Sequence, residues 1–151
     1  MKEVVLYTDG ACSVNPGVGG WAYILEYKGK QKKGAGAEKD TTNNRMELMA
    51  VIQGLKALKE PCKVQLFSDS AYVINAFKND WIVSWQLNNW KNSQKKPVLN
   101  KDLWEELIEL ATKHKIEFNK VKGHAYNELN NLCDKMAVEQ VQLLKNKISE
   151  N

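Results

Sequence analysis

Cysteine is scarce and scattered: only Cys12, Cys62 and Cys133 occur among 151 residues, and none forms a CxxC pair. An odd, widely spaced set argues against a cysteine-based zinc site and fits reduced thiols in a cytosolic protein. No apolar stretch approaches the roughly 18 residues of a membrane span. The opening MKEVVLYTDG also lacks the long apolar region of a secretion signal. Internal repeats and low-complexity segments are absent, and only the last few polar residues read as frayed. The imbalance of charge is small, with 22 basic and 18 acidic residues and a net charge of +4. That excess assigns no partner by itself, because nucleic-acid binding depends on where the charge lies.

What is present suits one soluble domain with a real core, spanning 1–145, followed by a short polar tail at 146–151. Residues 3–8, 20–27 and about 31–37 read as strands, the last two joined by the turn YKGK. Connections this short predict an antiparallel meander. From Asn44 to Lys59 the residues Leu48, Val51, Ile52, Leu55 and Leu58 form a helical stripe, closed by Pro61. A fourth strand covers about 63–68 and a helix about 71–78, and short helical or irregular pieces at 81–90 carry three tryptophans. A polar loop leads to a helix at about 101–113, a fifth strand, KIEFNKV, and a last helix at about 128–147. The order β-β-β-α-β-α-α-α-β-α predicts an α/β fold: a five-stranded mixed sheet, first three strands antiparallel, with helices on both faces.

Two apolar strands each end on an aspartate. VVLY runs into Thr8-Asp9-Gly10, and VQLF runs into Ser68-Asp69-Ser70. A single Asp-Gly pair reads most simply as a turn. The repetition suggests more: if the strands are parallel neighbours, Asp9 and Asp69 meet at one sheet edge, where open α/β sheets place ligands. Two carboxylates so close must share a proton or hold a cation.

Glu47 lies early in the first helix, and its spacing from Asn44 is that of a capping box. It also borders the apolar stripe, where an acid needs a partner. Asp134 lies in the early turns of the last helix, a common place for a solvated acid or a dipole partner. His124 follows Lys122-Gly123 at the end of the fifth strand, whereas His114 in KHK reads as surface decoration. Between Asn75 and Lys101 the bases Lys78, Lys91, Lys95, Lys96 and Lys101 face a single acid, Asp80, and alternate with Trp81, Trp85 and Trp90.

YTDGACSVNPGVGGWAYIL, TTNNRMELMAVIQGL, FSDSAYV and VKGHA…NNLCDKMA together resemble the type 1 ribonuclease H family, in order and in spacing, over about residues 3–140. The resemblance implies the fold just outlined and a metal-dependent endonuclease that cuts the RNA strand of RNA–DNA hybrids. It implies Asp9, Glu47, Asp69 and Asp134 as ligands of two Mg2+ ions, with Mn2+ an alternative. Hard cations of this kind prefer oxygen donors, and a pair about 4 Å apart suits in-line displacement at phosphorus.

His124 matches a histidine that assists proton transfer or product release. Cys12, Asn15, Asn43 and Asn44 match positions lining the hybrid's minor groove, and Thr42 and Asn100 positions that hold a DNA phosphate. Trp81, Trp85, Lys91, Lys95 and Lys96 match the basic protrusion of bacterial members, although a solvated loop is the plainer reading of the lysines.

Some positions depart from the pattern. Asp40 stands where relatives often carry a base, Ala71 where many carry glutamine, and Asn131 where glutamate is frequent. Integrase- and resolvase-like enzymes share a related sheet, but the Asn43–Asn44 pair and the His124 loop favour ribonuclease H. A non-catalytic hybrid-binding module fits poorly, since four unneutralised acids would repel a phosphate backbone. The expected protein is a complete, free-standing monomer of the cytoplasm without membrane contact or a separate N-terminal hybrid-binding domain, acting in primer removal and clearance of hybrids.

Overall fold

The computed structural model describes residues 1–121 and 127–150. Five strands, β1 (Lys2–Cys12), β2 (Gly17–Tyr27), β3 (Lys30–Thr41), β4 (Cys62–Ser68) and β5 (Lys115–Lys120), form one sheet in the order β3-β2-β1-β4-β5. The first three are antiparallel, as short hairpin connections require. β1 lies at the centre and runs parallel to β4, which pairs in turn with β5 in parallel.

Alternation along the strands sends their apolar residues to two sides. Val4 and Leu6 of β1, with Tyr23 and Leu25 of β2, join the larger core under α1 (Asn43–Lys56), α2 (Ala71–Lys78) and α4 (Lys101–Ala111). Ile82 of the short α3 (Trp81–Leu87) and the fully buried Trp104 of α4 complete that core. On the opposite face, Ala22 and Ile24 meet Cys133 and Ala137 of α5 (Glu128–Ser149). The fit there is close: a Cβ on Gly20 would lie 2.4 Å from the Ala137 carbonyl oxygen.

The element order agrees with expectation, but several boundaries differ for physical reasons. β1 does not end in a turn at Asp9-Gly10. It continues to Cys12, with Asp9 opposite Ala22 and Gly10 opposite Trp21, because β2 is long enough to pair with it. The α1 cap is Thr42, whose Oγ1 accepts from Arg45 N at 3.2 Å, rather than Asn44. α1 ends at Lys56, and Leu58 reaches the core from beyond the helix. α5 runs on to Ser149, so much of the expected polar tail is helical. His114 is not surface decoration: its Nδ1 accepts from Cys62 N at 3.0 Å and ties the start of β4 to the approach to β5.

Candidate active site

Asp9 is 5% exposed in the middle of the sheet, and the Gly10 amide donates to its Oδ1 at 2.9 Å. The next residue explains how a second acid reaches it. A Cβ at Gly10 would lie 2.4 Å from Glu47 N and 2.5 Å from the Met46 carbonyl carbon. Only glycine lets the first turn of α1 rest on β1 this closely. That contact delivers Glu47, also 5% exposed, to Asp9.

Asp69 comes from the junction of β4 and α2. The parallel register pairs Tyr7 with Phe67, so two residues further along Asp69 arrives next to Asp9. The junction is held locally: Ser68 Oγ accepts from Ser70 N at 3.0 Å, and Ser70 Oγ caps α2 by accepting from Val73 N at 3.2 Å. Carboxylate oxygens of Asp9, Glu47 and Asp69 all lie within 4.8 Å of one another. Asp134 stands outside this trio but beside it. It is exposed on α5 and follows the buried Cys133, and its charge is among those that raise the Asp9 carboxyl. The Cys133 thiol donates to the Ala22 carbonyl at 3.1 Å and so fixes this turn of α5 against the sheet.

The charges are mutually unfavourable. Burial, then Asp69 and Asp134, push the Asp9 carboxyl up to about 8 from its ordinary 3.8. Burial and the charges of Asp9 and Asp69 raise Glu47 well above the usual carboxylate range. Burial chiefly, and then the same acids, push the Cys133 thiol up, which keeps it an inert packing group. Glu47 Oε1 is buried without a hydrogen-bond partner among the described residues. An orphaned carboxylate oxygen on one of three clustered acids fits a cation, and an all-oxygen, charged donor set suits Mg2+ or Mn2+ rather than zinc.

The remaining predicted residues fall into groups, and His124 lies outside the described residues. Cys12, Asn15, Thr42, Asn43 and Asn44 share the rim where β1 ends and α1 begins. Cys12 Sγ donates to the Val14 carbonyl at 2.8 Å, and Asn15 Oδ1 accepts from Asn43 N at 3.2 Å. Asn43 and Asn44 are exposed. Asn100 immediately precedes α4, with its side chain directed to Arg45 and Tyr72.

Lys91, Lys95 and Lys96 are exposed on the loop after α3. That loop is closed by a bridge between Lys91 and Pro97 and by Asn92 Oδ1, which accepts from the amides of Gln94 and Lys96. Trp85 stacks edge-on against buried Trp104 at 5.3 Å and lies 6.1 Å from Trp90, so it supports the loop from beneath, while Trp81 is 39% exposed. Sequence reasoning overlooked Gly10, Arg45 and Tyr72. For Gly10 the signal existed, since a glycine inside a strand often marks close backbone approach.

Comparison with known proteins agrees with this geometry. The chain matches the RNase H family over residues 1–142. It is 63% identical over 139 residues to the Ribonuclease H of Thermoanaerobacter sp. (strain X514), covering 92% of this chain and 90% of that protein. It is 61% identical over 151 residues to the Ribonuclease H of Caldanaerobacter subterraneus subsp. tengcongensis, covering 99% and 97% respectively. Among solved structures it resembles LC9-RNase H1, a type 1 RNase H with the type 2 active-site motif, with a TM-score of 0.83 and 28% identity over 93% of this chain and 72% of that one.

Proposed function

The chain belongs to the ribonuclease H family, and from that premise we propose how it hydrolyses the RNA strand of RNA–DNA hybrids: with two Mg2+ ions, or Mn2+ in their place, held by Asp9, Glu47, Asp69 and Asp134. The observation that carries this reading is the trio of carboxylates within 4.8 Å, one of whose oxygens is buried and unpaired. When bound, divalent cations supply the charge that activates an attacking water and neutralises the leaving oxygen.

The chain's own residues do the rest. Asp9, Glu47 and Asp69 hold their oxygens ready on β1, α1 and the β4–α2 junction, so little reorganisation is needed at the moment of reaction. Asp134 joins them from the exposed side, where substrate enters. An imidazole can exchange a proton near neutral pH, which suits His124 to proton transfer or product release. Cys12, Asn15, Asn43 and Asn44 offer a polar rim to the minor groove and its 2′-hydroxyls. Thr42 and Asn100 meet a DNA phosphate, and Lys91, Lys95 and Lys96 neutralise phosphates flanking the cut, with Trp81 and Trp85 shaping the base of that loop. All four acids belong to one chain, in keeping with a monomer.

The free thiols of Cys12, Cys62 and Cys133 suit a reducing cytoplasm, and among the described residues no helix is long and apolar enough to cross a membrane. Removal of RNA primers in DNA replication and clearance of transcription-associated hybrids follow as its cellular work. The test is cleavage of a labelled hybrid in Mg2+, Mn2+ or EDTA, with RNA and DNA duplexes as controls. Cleavage confined to the RNA strand and abolished by EDTA is expected; cutting in EDTA, or equal cutting of the duplexes, would overturn the reading.

A further inference from the structure

A cation in the first turn of a helix opposes the helix dipole, yet Arg45 occupies that place in α1. Its guanidinium is turned to Asn100 and Asp102. Nη1 and Nη2 donate to the two carboxylate oxygens of Asp102 at 3.0 and 2.9 Å, and Nη1 also donates to Asn100 Oδ1 at 3.3 Å. This hydrogen bonding holds the Asp102 carboxyl below its usual range.

Asn100 is anomalous in its turn. It stands at the N-cap of α4, the position asparagine serves best, but its side chain makes no cap. The amide is spent instead on Arg45 through its oxygen and on the Tyr72 hydroxyl, to which Nδ2 donates at 3.1 Å. The same hydroxyl accepts from Nε1 of buried Trp104 at 2.9 Å, and the Tyr72 ring packs edge-on against that indole at 5.3 Å.

The relay therefore begins two residues before Glu47 and ends three residues after Asp69. Asp69 itself is exposed and lies outside any strand or helix, so its place depends on how α2 leaves the sheet. The geometry points to Arg45 and Tyr72 as positioning residues that, through Asn100, set the separation of Glu47 and Asp69 and thereby the affinity of the carboxylate cluster for divalent cations. This inference rests on the metal reading of that cluster.

Calorimetric titration of Mn2+ into hybrid-free protein tests it, using the parent, Asp9→Asn, Arg45→Lys, Tyr72→Phe and the Arg45→Lys/Tyr72→Phe double variant. Tyr72→Phe keeps the ring and removes only the hydroxyl; lysine keeps the charge of Arg45 without the fork. Each single variant should weaken Mn2+ binding about 3–10-fold, a shift equal to RT ln of that ratio. The double variant should be no weaker than the weaker single, because both cut one relay. Raising Mn2+ should restore turnover in Tyr72→Phe. Parental Mn2+ affinity in both single variants, with only the melting temperature lowered, would overturn the inference and leave a structural brace. A raised KM at unchanged Mn2+ affinity would overturn it in favour of a substrate contact. Equal Mn2+ binding by parent and Asp9→Asn would instead sink the metal reading itself, a result distinct from either.

Discussion

Replacing Asp9 with asparagine should stabilise the cation-free protein while abolishing its cleavage of hybrids. The carboxyl titrates at about 8 in the folded chain against an ordinary 3.8. Folding thus favours its protonated form. The corresponding stability is fully present below pH ~4 and is lost as pH rises through about 8. Removing that charge from a buried place among other acids should therefore stabilise the cation-free protein on the order of a few kcal/mol.

Asparagine matches the protonated carboxyl in shape, keeps an oxygen for the Gly10 amide, and brings no charge against Asp69. In EDTA at pH 8 to 9 the variant should melt about 5–10 °C above the parent, with the difference vanishing near pH 4. With saturating Mg2+ the order should reverse, since only the parent keeps the full ligand set. Thermal melts of both proteins from pH 4 to 9, with and without Mg2+, make the comparison. Superimposed melting curves in EDTA across that range, or Mg2+-dependent cleavage by the variant, would refute the reasoning.

Gly10→Ala forces a methyl group against the backbone of Met46 and Glu47, so it should cost at least about 2 kcal/mol in urea unfolding and weaken Mn2+ binding as α1 is displaced. His124→Ala should slow turnover by about 10²–10⁴-fold, the usual worth of an acid–base group, with Mn2+ affinity in calorimetry unchanged. Changing Lys91, Lys95 and Lys96 together to alanine should raise KM most at low salt and flatten log KM against log salt by up to about two to three units. Turnover at saturating hybrid should be unchanged, because such contacts bind ground and transition states alike.

The order of elements was legible because its signals are local: the stripe from Leu48 to Leu55, the short loops of the meander, the apolar runs ending at Asp9 and Asp69. What lay beyond reach was tertiary. Asp9-Gly10 carries a turn signal and a close-approach signal at once, and only the arrival of Met46 and Glu47 decides between them. TTNN presents several residues able to cap a helix, and the choice of Thr42 over Asn44 moves the cap by two positions. His114 gives no local hint that its ring accepts from Cys62, 52 residues away. Glu47 could be placed on the edge of an apolar stripe, but not opposite Asp9. The Arg45–Asn100–Tyr72 relay joins three helix starts and has no signature in any one of them.

The central place of β1 has a kinetic consequence. Its partner β2 follows at once through a short hairpin, whereas β4 is reached only after β3 and α1. Joining β1 to β4 pairs residues sixty apart, Lys2 with Cys62 through Tyr7 with Phe67, an entropic barrier that the meander does not face. Asp9 can be set in its hairpin early, but its neighbours at 47, 69 and 134 arrive only when this crossover and the last helix dock. A cation site built from these four segments, as proposed above, would recognise the finished chain and nothing before it. Divalent ions should therefore act as a latch, slowing the rate at which the native chain opens while leaving its refolding rate nearly untouched.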